Sequence, residues 1–246
     1  EYDKARTSLR NDIKLPIDGF AFQYDKLNNV SWLQGKDFRV RISEAASGFQ
    51  SLIPLIVVTR YMAHVVRKGE QQSTNLQVKN AIEKRIAAIL ADNSIDDKMR
   101  RLLLSQQSSL LTYGKFVNIV EEPEQNLFPT AQRNILYDLF AAYNEKEDNQ
   151  LVITTHSPYV IDYTSLAIKA ASISVRTESQ ETALEKIVPK ASRINGKDIC
   201  VYQIRDGKIM TLEKYDNMPS DDNFLNRELS DTNELFGQLL ELEEGV

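Results

Sequence analysis

Two short apolar runs that each end in polar residues constrain this chain more than any other feature. Residues 116–126 have the sequence FVNIVEEPEQN, and residues 151–158 have the sequence LVITTHSP. Each run has the length and the branched residues of a buried β-strand, and each delivers polar groups at its carboxyl end. Open α/β sheets bind their ligands at that edge. Two adjacent acids and a histidine on neighbouring strands suit a metal-assisted reaction on a phosphate.

The segment between the two runs predicts a helix that makes the strands parallel. Pro129 opens this helix, where proline is tolerated because the first amides of a helix have no partner within it. An apolar stripe at helical spacing predicts its buried face, namely Ile135, Leu136, Leu139, Phe140 and Tyr143. A strand, a helix and a strand in this order predict a right-handed parallel unit.

The rest of the chain predicts elements on both sides of this unit, and the fold class is therefore α/β. In chain order they are a helix end at 1–12, turn-rich strands at 13–42, a mostly apolar helix at 47–66, a helical insertion at 67–112, a strand at 172–176, a hairpin at 199–213 with Asp206-Gly207 as its turn, and an acidic amphipathic helix at 223–244. We expect residues 1–246 to form a single lobe.

Composition excludes several classes of protein. The net charge of −5 does not match the electrostatic footprint of a free-standing nucleic-acid binder. The longest apolar stretch, at 52–58, is too short to span a bilayer, so we expect a cytoplasmic protein with no membrane partner. The single cysteine, Cys200, has no intrachain partner, and its apolar neighbours predict a buried thiol.

Three motifs, in this order along the chain, resemble those of ABC-type P-loop ATPases. ISEAASGFQSLIPL resembles the signature motif, FVNIVEEPEQNLFP resembles the Walker B strand with the catalytic glutamate and D-loop, and LVITTHSPYVID resembles the switch-histidine segment. The resemblance is closest to the cytosolic branch that includes SMC-like, RecF-like and OLD-like heads. It implies a mostly parallel P-loop sheet flanked by helices, divided into a strand-rich segment at 13–42, the signature motif and its helix at 43–66, the insertion at 67–112 and the Walker B to carboxyl-terminal part at 113–246.

The resemblance also implies ATP and Mg²⁺ as cofactors and gives the acids and the histidine separate roles. Glu121 occupies the Walker B position, usually an Asp, and would hold Mg²⁺ through coordinated water. Glu122 would orient or deprotonate the water that attacks the γ-phosphate, and His156 would contact the γ-phosphate or that water. In the D-loop, Glu124 and Asn126 would contribute to nucleotide binding.

The signature segment contributes Ser47, Gly48 and Gln50. Ser47 and Gln50 have the spacing of a capping box, which predicts a helix that starts at Ser47 and attracts a phosphate at its unpaired amides. In the resembled family this site faces the ATP of a second subunit, so the resemblance implies a homodimer formed around nucleotide. Pro54 within the predicted helix leaves two alternatives open, a kink or a helix start as late as Ser51.

The phosphate-binding loop GxxxxGK[ST] does not occur in the sequence. Of the nine glycines, Gly35, Gly196 and Gly207 precede a lysine, but none of them has a glycine five positions earlier. The resembled family places that loop in an amino-terminal lobe, and the chain starts without an initiator methionine. We therefore expect a protein trimmed of its Walker A lobe, and an isolated chain that binds ATP poorly.

Two other classes of function fit parts of the sequence. The missing phosphate-binding loop would suit a non-hydrolytic interaction or dimerisation module. Carboxylates at 121, 122 and 124 with His156 could instead form a metal-dependent nuclease, although this leaves Pro123 and the signature segment unexplained. After Asp162 no acidic strand end of a Toprim-like nuclease is visible. An effector protein or DNA is the further partner that we expect, with a role in DNA repair or anti-phage defence by analogy.

Overall fold

The computed structural model describes most of the chain in five stretches, which are residues 1–9, 12–69, 76–92, 94–109 and 113–244. The predicted helix end at 1–12 and the predicted insertion at 67–112 both extend into residues outside these stretches. Within them, the fold is α/β, as predicted, and it contains a small parallel sheet, several antiparallel strands, and a hairpin and helix at the carboxyl-terminal side.

A short helix, α1 (Tyr2–Ser8), begins the chain, and a four-stranded antiparallel sheet follows it. Its strands follow one another across the sheet in chain order, as β1 (Ile13–Lys14), β2 (Ala21–Asp25), β3 (Val30–Gln34) and β4 (Arg39–Arg41). The turn between β2 and β3 uses Asn29, whose φ of 55° suits asparagine. Phe22 and Leu33, paired across β2 and β3, are buried against the next helix.

Helix α2 (Ser47–Lys68) is the central core helix of the described chain. Ile53 and Val57 pack into the cluster under the antiparallel sheet, whereas Leu52 and Ile56 pack into a second cluster. By length and composition alone, α2 could cross a bilayer, but 44% of its most apolar window is buried within this fold. Because α2 begins at Ser47, Pro54 lies inside the helix, and the later start is excluded.

The insertion consists of two helices that pack against each other, α3 (Leu76–Ala91) and α4 (Asp97–Ser109). Both lie within the predicted helical segment at 67–112. Ile82 of α3 is buried. The remaining side chains of α3 and α4 are mostly exposed along the described part of the insertion, which fits its polar sequence.

The predicted parallel unit is present and carries the sheet edge of interest. It comprises β5 (Val117–Glu121), α5 (Pro129–Asn144), β6 (Gln150–Thr154) and α6 (Pro158–Ser172), with β5 and β6 parallel. Four of the five residues in the predicted stripe of α5 are buried, and Tyr143 is partly buried. One face of the strand pair packs on α2 and α5 through Val120, so the core supports the strands that lead to this edge.

The carboxyl-terminal part continues with one helix, two pairs of short strands and a long helix. These elements are α7 (Glu178–Ile187), β7 (Tyr202–Arg205), β8 (Lys208–Thr211), β9 (Lys214–Tyr215), β10 (Met218–Pro219) and α8 (Phe224–Glu244). Asp206 and Gly207 both have positive φ, 51° and 71°, as the turn of a two-residue hairpin requires. The predicted hairpin and acidic helix are therefore confirmed.

Two local predictions in the carboxyl-terminal part are wrong. Residues 173–176 form no strand, because α6 extends to Ser172 and the apolar Ile173 and Val175 that follow it are exposed rather than packed on a sheet. The thiol of Cys200 is exposed rather than buried. The preceding residue, Ile199, packs against the core in an extended conformation, so the side chain of Cys200 lies on the solvent side.

Candidate functional site

The polar residues that follow β5 and β6 emerge at one edge of the parallel sheet. Glu121, the last residue of β5, pairs in register with Thr154, the last residue of β6. The amide of Glu122 donates a hydrogen bond to the carbonyl of Thr154 at 2.9 Å, which extends the contact one residue beyond the strand. The two chains therefore leave the sheet side by side, and the edge is the carboxyl end of both strands.

The side chains of Glu122 and His156 approach each other at this edge. Nε2 of His156 lies 3.6 Å from Oε1 of Glu122. The other carboxylate oxygen of Glu122 accepts a hydrogen bond from Nε2 of Gln125 at 2.7 Å. The histidine side chain is 83% exposed and that of Glu122 is 38% exposed, so both reach solvent. The pair can therefore meet a ligand that arrives from outside the sheet.

The backbone of Glu122 is strained. Its φ of 43° lies in the left-handed region, which glutamate rarely adopts because its Cβ comes too close to the following carbonyl oxygen. Such conformations persist where the surrounding structure enforces them, and they cluster at functional sites. Here the conformation turns the chain sharply after β5, and the carboxylate lies beside the imidazole of His156.

Glu124 points into the protein instead. Its Oε1 accepts hydrogen bonds from the amide of His156 and from the hydroxyl of Thr155, both at 2.7 Å. Its Oε2 is buried and has no hydrogen-bond partner. Glu124 therefore contacts the chain around the histidine through one carboxylate oxygen, and its other oxygen is buried.

Asn126 completes the loop after β5 and touches the signature segment. Its φ of 57° suits asparagine, and its side chain is exposed. The carbonyl oxygen of Asn126 lies so close to Gly48 that a Cβ added there would meet it at 2.7 Å. Glycine is required at position 48 for space, and this contact joins the start of α2 to the loop.

The predicted start of α2 at Ser47 is confirmed, but the predicted capping box is wrong. Ala46, in an extended conformation, is the N-cap residue, so Ser47 is already the first helical residue, and its hydroxyl caps no amide. Nε2 of Gln50 donates to the carbonyl of Ala45 at 2.7 Å and so secures the chain that enters the helix. Ser47 is exposed, and the first amides of α2 have no side-chain partner.

The acidic residues at this edge fit a magnesium ion held mostly by water and phosphate. In the described stretches, no group of three or more His, Cys, Asp and Glu side chains could hold a metal ion by itself. Magnesium typically takes one or two carboxylates, keeps several waters, and completes its shell with substrate phosphates. Glu121 lies exposed at the end of β5, where its carboxylate would be open to such an ion.

Sequence reasoning missed three residues that organise the site. Gln125 holds the carboxylate of Glu122, Thr155 binds Glu124, and Gln132 on α5 binds both Ser157 and the carbonyl of Leu127. All three lie within or next to the quoted motifs. The spacing of Gln125, three residues after Glu122 in a turn-rich loop, is a signal from which its contact could have been predicted.

A family model described as "AAA domain, putative AbiEii toxin, Type IV TA system" matches residues 99–162. The matched segment runs from α4 to the first turns of α6 and contains the entire sheet edge with Glu121, Glu122, Glu124 and His156. The match supports a P-loop ATPase-like family. Proteins with such AAA domains bind nucleotide, usually with Mg²⁺, and have ATPase-type functions. No curated protein matches the chain.

Proposed function

We propose that residues 1–246 form a single lobe that carries the hydrolytic half of an ATP site, as in the SMC/RecF/OLD-like branch of ABC-type ATPases. The observation that carries the proposal is the approach of His156 to Glu122 within 3.6 Å at the carboxyl edge of a parallel strand pair. That edge is where α/β folds bind ligands, and phosphoryl transfer depends mainly on positioning and charge. The AAA family match covers this edge and supports a nucleotide as the ligand.

Each residue of the edge has one role in the proposed reaction. ATP is the proposed substrate: water attacks its γ-phosphorus, the bond to the ADP leaving group breaks, and a bound Mg²⁺ would neutralise charge on the phosphates. Glu122 orients that water and accepts its proton, and the hydrogen bond from Gln125 holds the carboxylate in place. His156, whose ring is open to solvent, contacts the γ-phosphate or the attacking water. Glu121 would help to hold the magnesium ion through coordinated water.

The start of α2 is proposed as the surface that binds the nucleotide of a second subunit. Ser47 is exposed there, and the first amides of α2, free of any side-chain cap, favour an anion. Gly48 lets the helix start lie against Asn126, and Gln50 secures the chain before it. Nucleotide would thus stabilise a homodimer in which each subunit completes the other subunit's site.

We also propose that hydrolysis drives or gates the activity of a cytoplasmic partner. The partner is an effector protein or DNA, and the role is in anti-phage defence or DNA repair. The description of the matching family as a toxin of a type IV toxin–antitoxin system supports the defence role.

The Glu122→Gln variant tests the proposal. Glutamine keeps the size and the hydrogen bond to Gln125 but cannot accept a proton, so ATP turnover by the full-length protein should fall about a hundredfold or more. Binding of ATP should survive, and the nucleotide-bound dimer should accumulate. Turnover is measured by phosphate release, and dimer by sedimentation with ATP.

Glu147→Gln is the matched control, because Glu147 is exposed in the loop before β6, at the opposite end of the strand. It should leave turnover unchanged. Equal hydrolysis by the parent and Glu122→Gln would refute the assigned mechanism. A full-length protein that binds no ATP in calorimetry would instead favour a non-hydrolytic interaction module.

A further inference from the structure

The carboxylate of Glu124 differs from that of Glu122 in what surrounds it. Glu122 faces solvent and the imidazole, whereas Glu124 has one oxygen bonded to the chain around His156 and the other buried. Oε1 of Glu124 accepts two short hydrogen bonds, from the amide of His156 and the hydroxyl of Thr155. Hydrogen bonds to a carboxylate are stronger than those between neutral groups, so this contact restrains the histidine backbone.

Further hydrogen bonds close a ring around this contact. Oγ1 of Thr155 accepts from the amide of Ser157, and the hydroxyl of Ser157 donates to Oε1 of Gln132 at 2.7 Å. Nε2 of Gln132 donates a hydrogen bond to the carbonyl of Leu127. The amide of Leu127 in turn donates to the carbonyl of Glu124. The ring links the loop after β5, the first turn of α5 and the histidine segment. Each hydrogen bond in the ring has a donor–acceptor distance of 3.1 Å or less.

We propose that Glu124 is a positioning residue, which fixes the backbone of His156 and thereby holds the imidazole at Glu122. Its role is therefore not a contact with nucleotide or metal. The same loop touches Gly48 through the carbonyl of Asn126, so the ring also connects the start of α2 to the histidine. The inference rests on the proposed function only for its effect on hydrolysis, since the restraint on His156 is measurable without nucleotide.

The restraint is measured by nuclear magnetic resonance on the chain with ¹⁵N only in its histidines. The chain has two histidines, so two backbone amide signals appear, from His64 and His156, and a His64→Gln variant assigns them. Glu124→Ala removes the acceptor, and the His156 amide proton should move upfield. Glu124→Gln keeps one acceptor oxygen and should retain most of the parent shift. The His64 signal should stay in place in both variants.

The effect on hydrolysis is measured on the same variants of the full-length protein. Glu124→Ala should lower kcat about tenfold to a hundredfold with KM unchanged, because a misplaced catalytic group costs that much. Glu124→Gln should lose less than about tenfold, since a neutral hydrogen bond replaces a charged one. A carboxylate that contacted nucleotide or metal would give the opposite pattern, with glutamine as harmful as alanine and KM raised.

Three results separate the claims. An unmoved His156 amide in Glu124→Ala overturns the restraint and the proposal with it. A moved amide with unchanged kcat in Glu124→Ala overturns the positioning role in hydrolysis. The amide could also move in Glu124→Ala while the parent full-length protein hydrolyses no ATP. This result overturns the proposed function and the hydrolytic role of Glu124, but it leaves the restraint on His156 established.

Discussion

At the scale of single residues, the backbone of Glu122 is the most informative feature of the site. A glutamate at φ 43° is less stable than a glycine would be, and the conformation places its carboxylate beside His156. The strain is compensated by the neighbouring contacts, namely the ladder-like hydrogen bond to Thr154 and the hydrogen bond from Gln125. Such a trade of stability for geometry is typical of functional sites.

The strain predicts the stability of two variants. Glu122→Gly and Glu122→Ala both lose the side-chain contacts, but only glycine adopts a positive φ without steric cost. The glycine variant should therefore be more stable than the alanine variant by about 1 kcal/mol, after glycine's own entropic cost. Urea unfolding of both variants measures the difference. An alanine variant of equal or greater stability would show that position 122 is not strained.

The sequence was enough to predict which residues reach the sheet edge, but not how they contact one another. The acids and His156 follow apolar runs of strand length, and parallel strands end at one edge, so their proximity was predictable. The inward orientation of Glu124 was not, because the identical residue type at 121, 122 and 124 carries no information about which carboxylate is enclosed. The positive φ at Glu122, where the chain turns after β5, was not predictable from the sequence either.

At the scale of elements, the contact between α2 and the loop after β5 depends on Gly48. This glycine is buried, and any Cβ there would meet a backbone oxygen that cannot move without the loop.

The long periodic helices and the Asp206-Gly207 hairpin were predicted because each has a strong local pattern. The capping box and the strand at 172–176 were wrong because motifs of four or five residues depend on the chain that precedes them.

The contact predicts that Gly48→Ala destabilises the protein. The added methyl group must displace the loop, at a cost of about 1–3 kcal/mol typical of overpacking. Gly237→Ala is the matched control, since Gly237 also lies in a helix but has no atom within 4 Å of an added Cβ. There alanine should stabilise by up to about 1 kcal/mol. Thermal unfolding measures both, and a neutral or stabilising Gly48→Ala would contradict the contact.

At the scale of the whole molecule, the two faces of the parallel strand pair differ in burial. One face packs on α2 and α5, while Val117, Ile119 and Val152 leave the other face exposed in the described part of the chain. Parallel strands are usually buried on both faces, so this apolar surface is unusual. The sequence predicted the apolar runs but not this asymmetry, because each face of the strand pair carries three apolar residues.

The asymmetry predicts different effects of threonine on the two faces. Ile119→Thr, at a side chain that is 69% exposed, should change the unfolding free energy by less than about 0.5 kcal/mol and reduce the binding of a hydrophobic dye. Ile153→Thr, on the packed face, should cost roughly 2 kcal/mol. Equal costs at the two positions would show that both faces are covered.

The most direct test of the central claim is a double-mutant cycle on ATP turnover by the full-length protein, with Glu122→Gln, His156→Ala and both together. If the two side chains act as one unit on the attacking water, the fold-losses in turnover of the single variants will not multiply. The double variant will then be about as slow as Glu122→Gln alone. Losses that multiply would mean that the two residues act independently. Full turnover in all three variants would place the chemistry elsewhere.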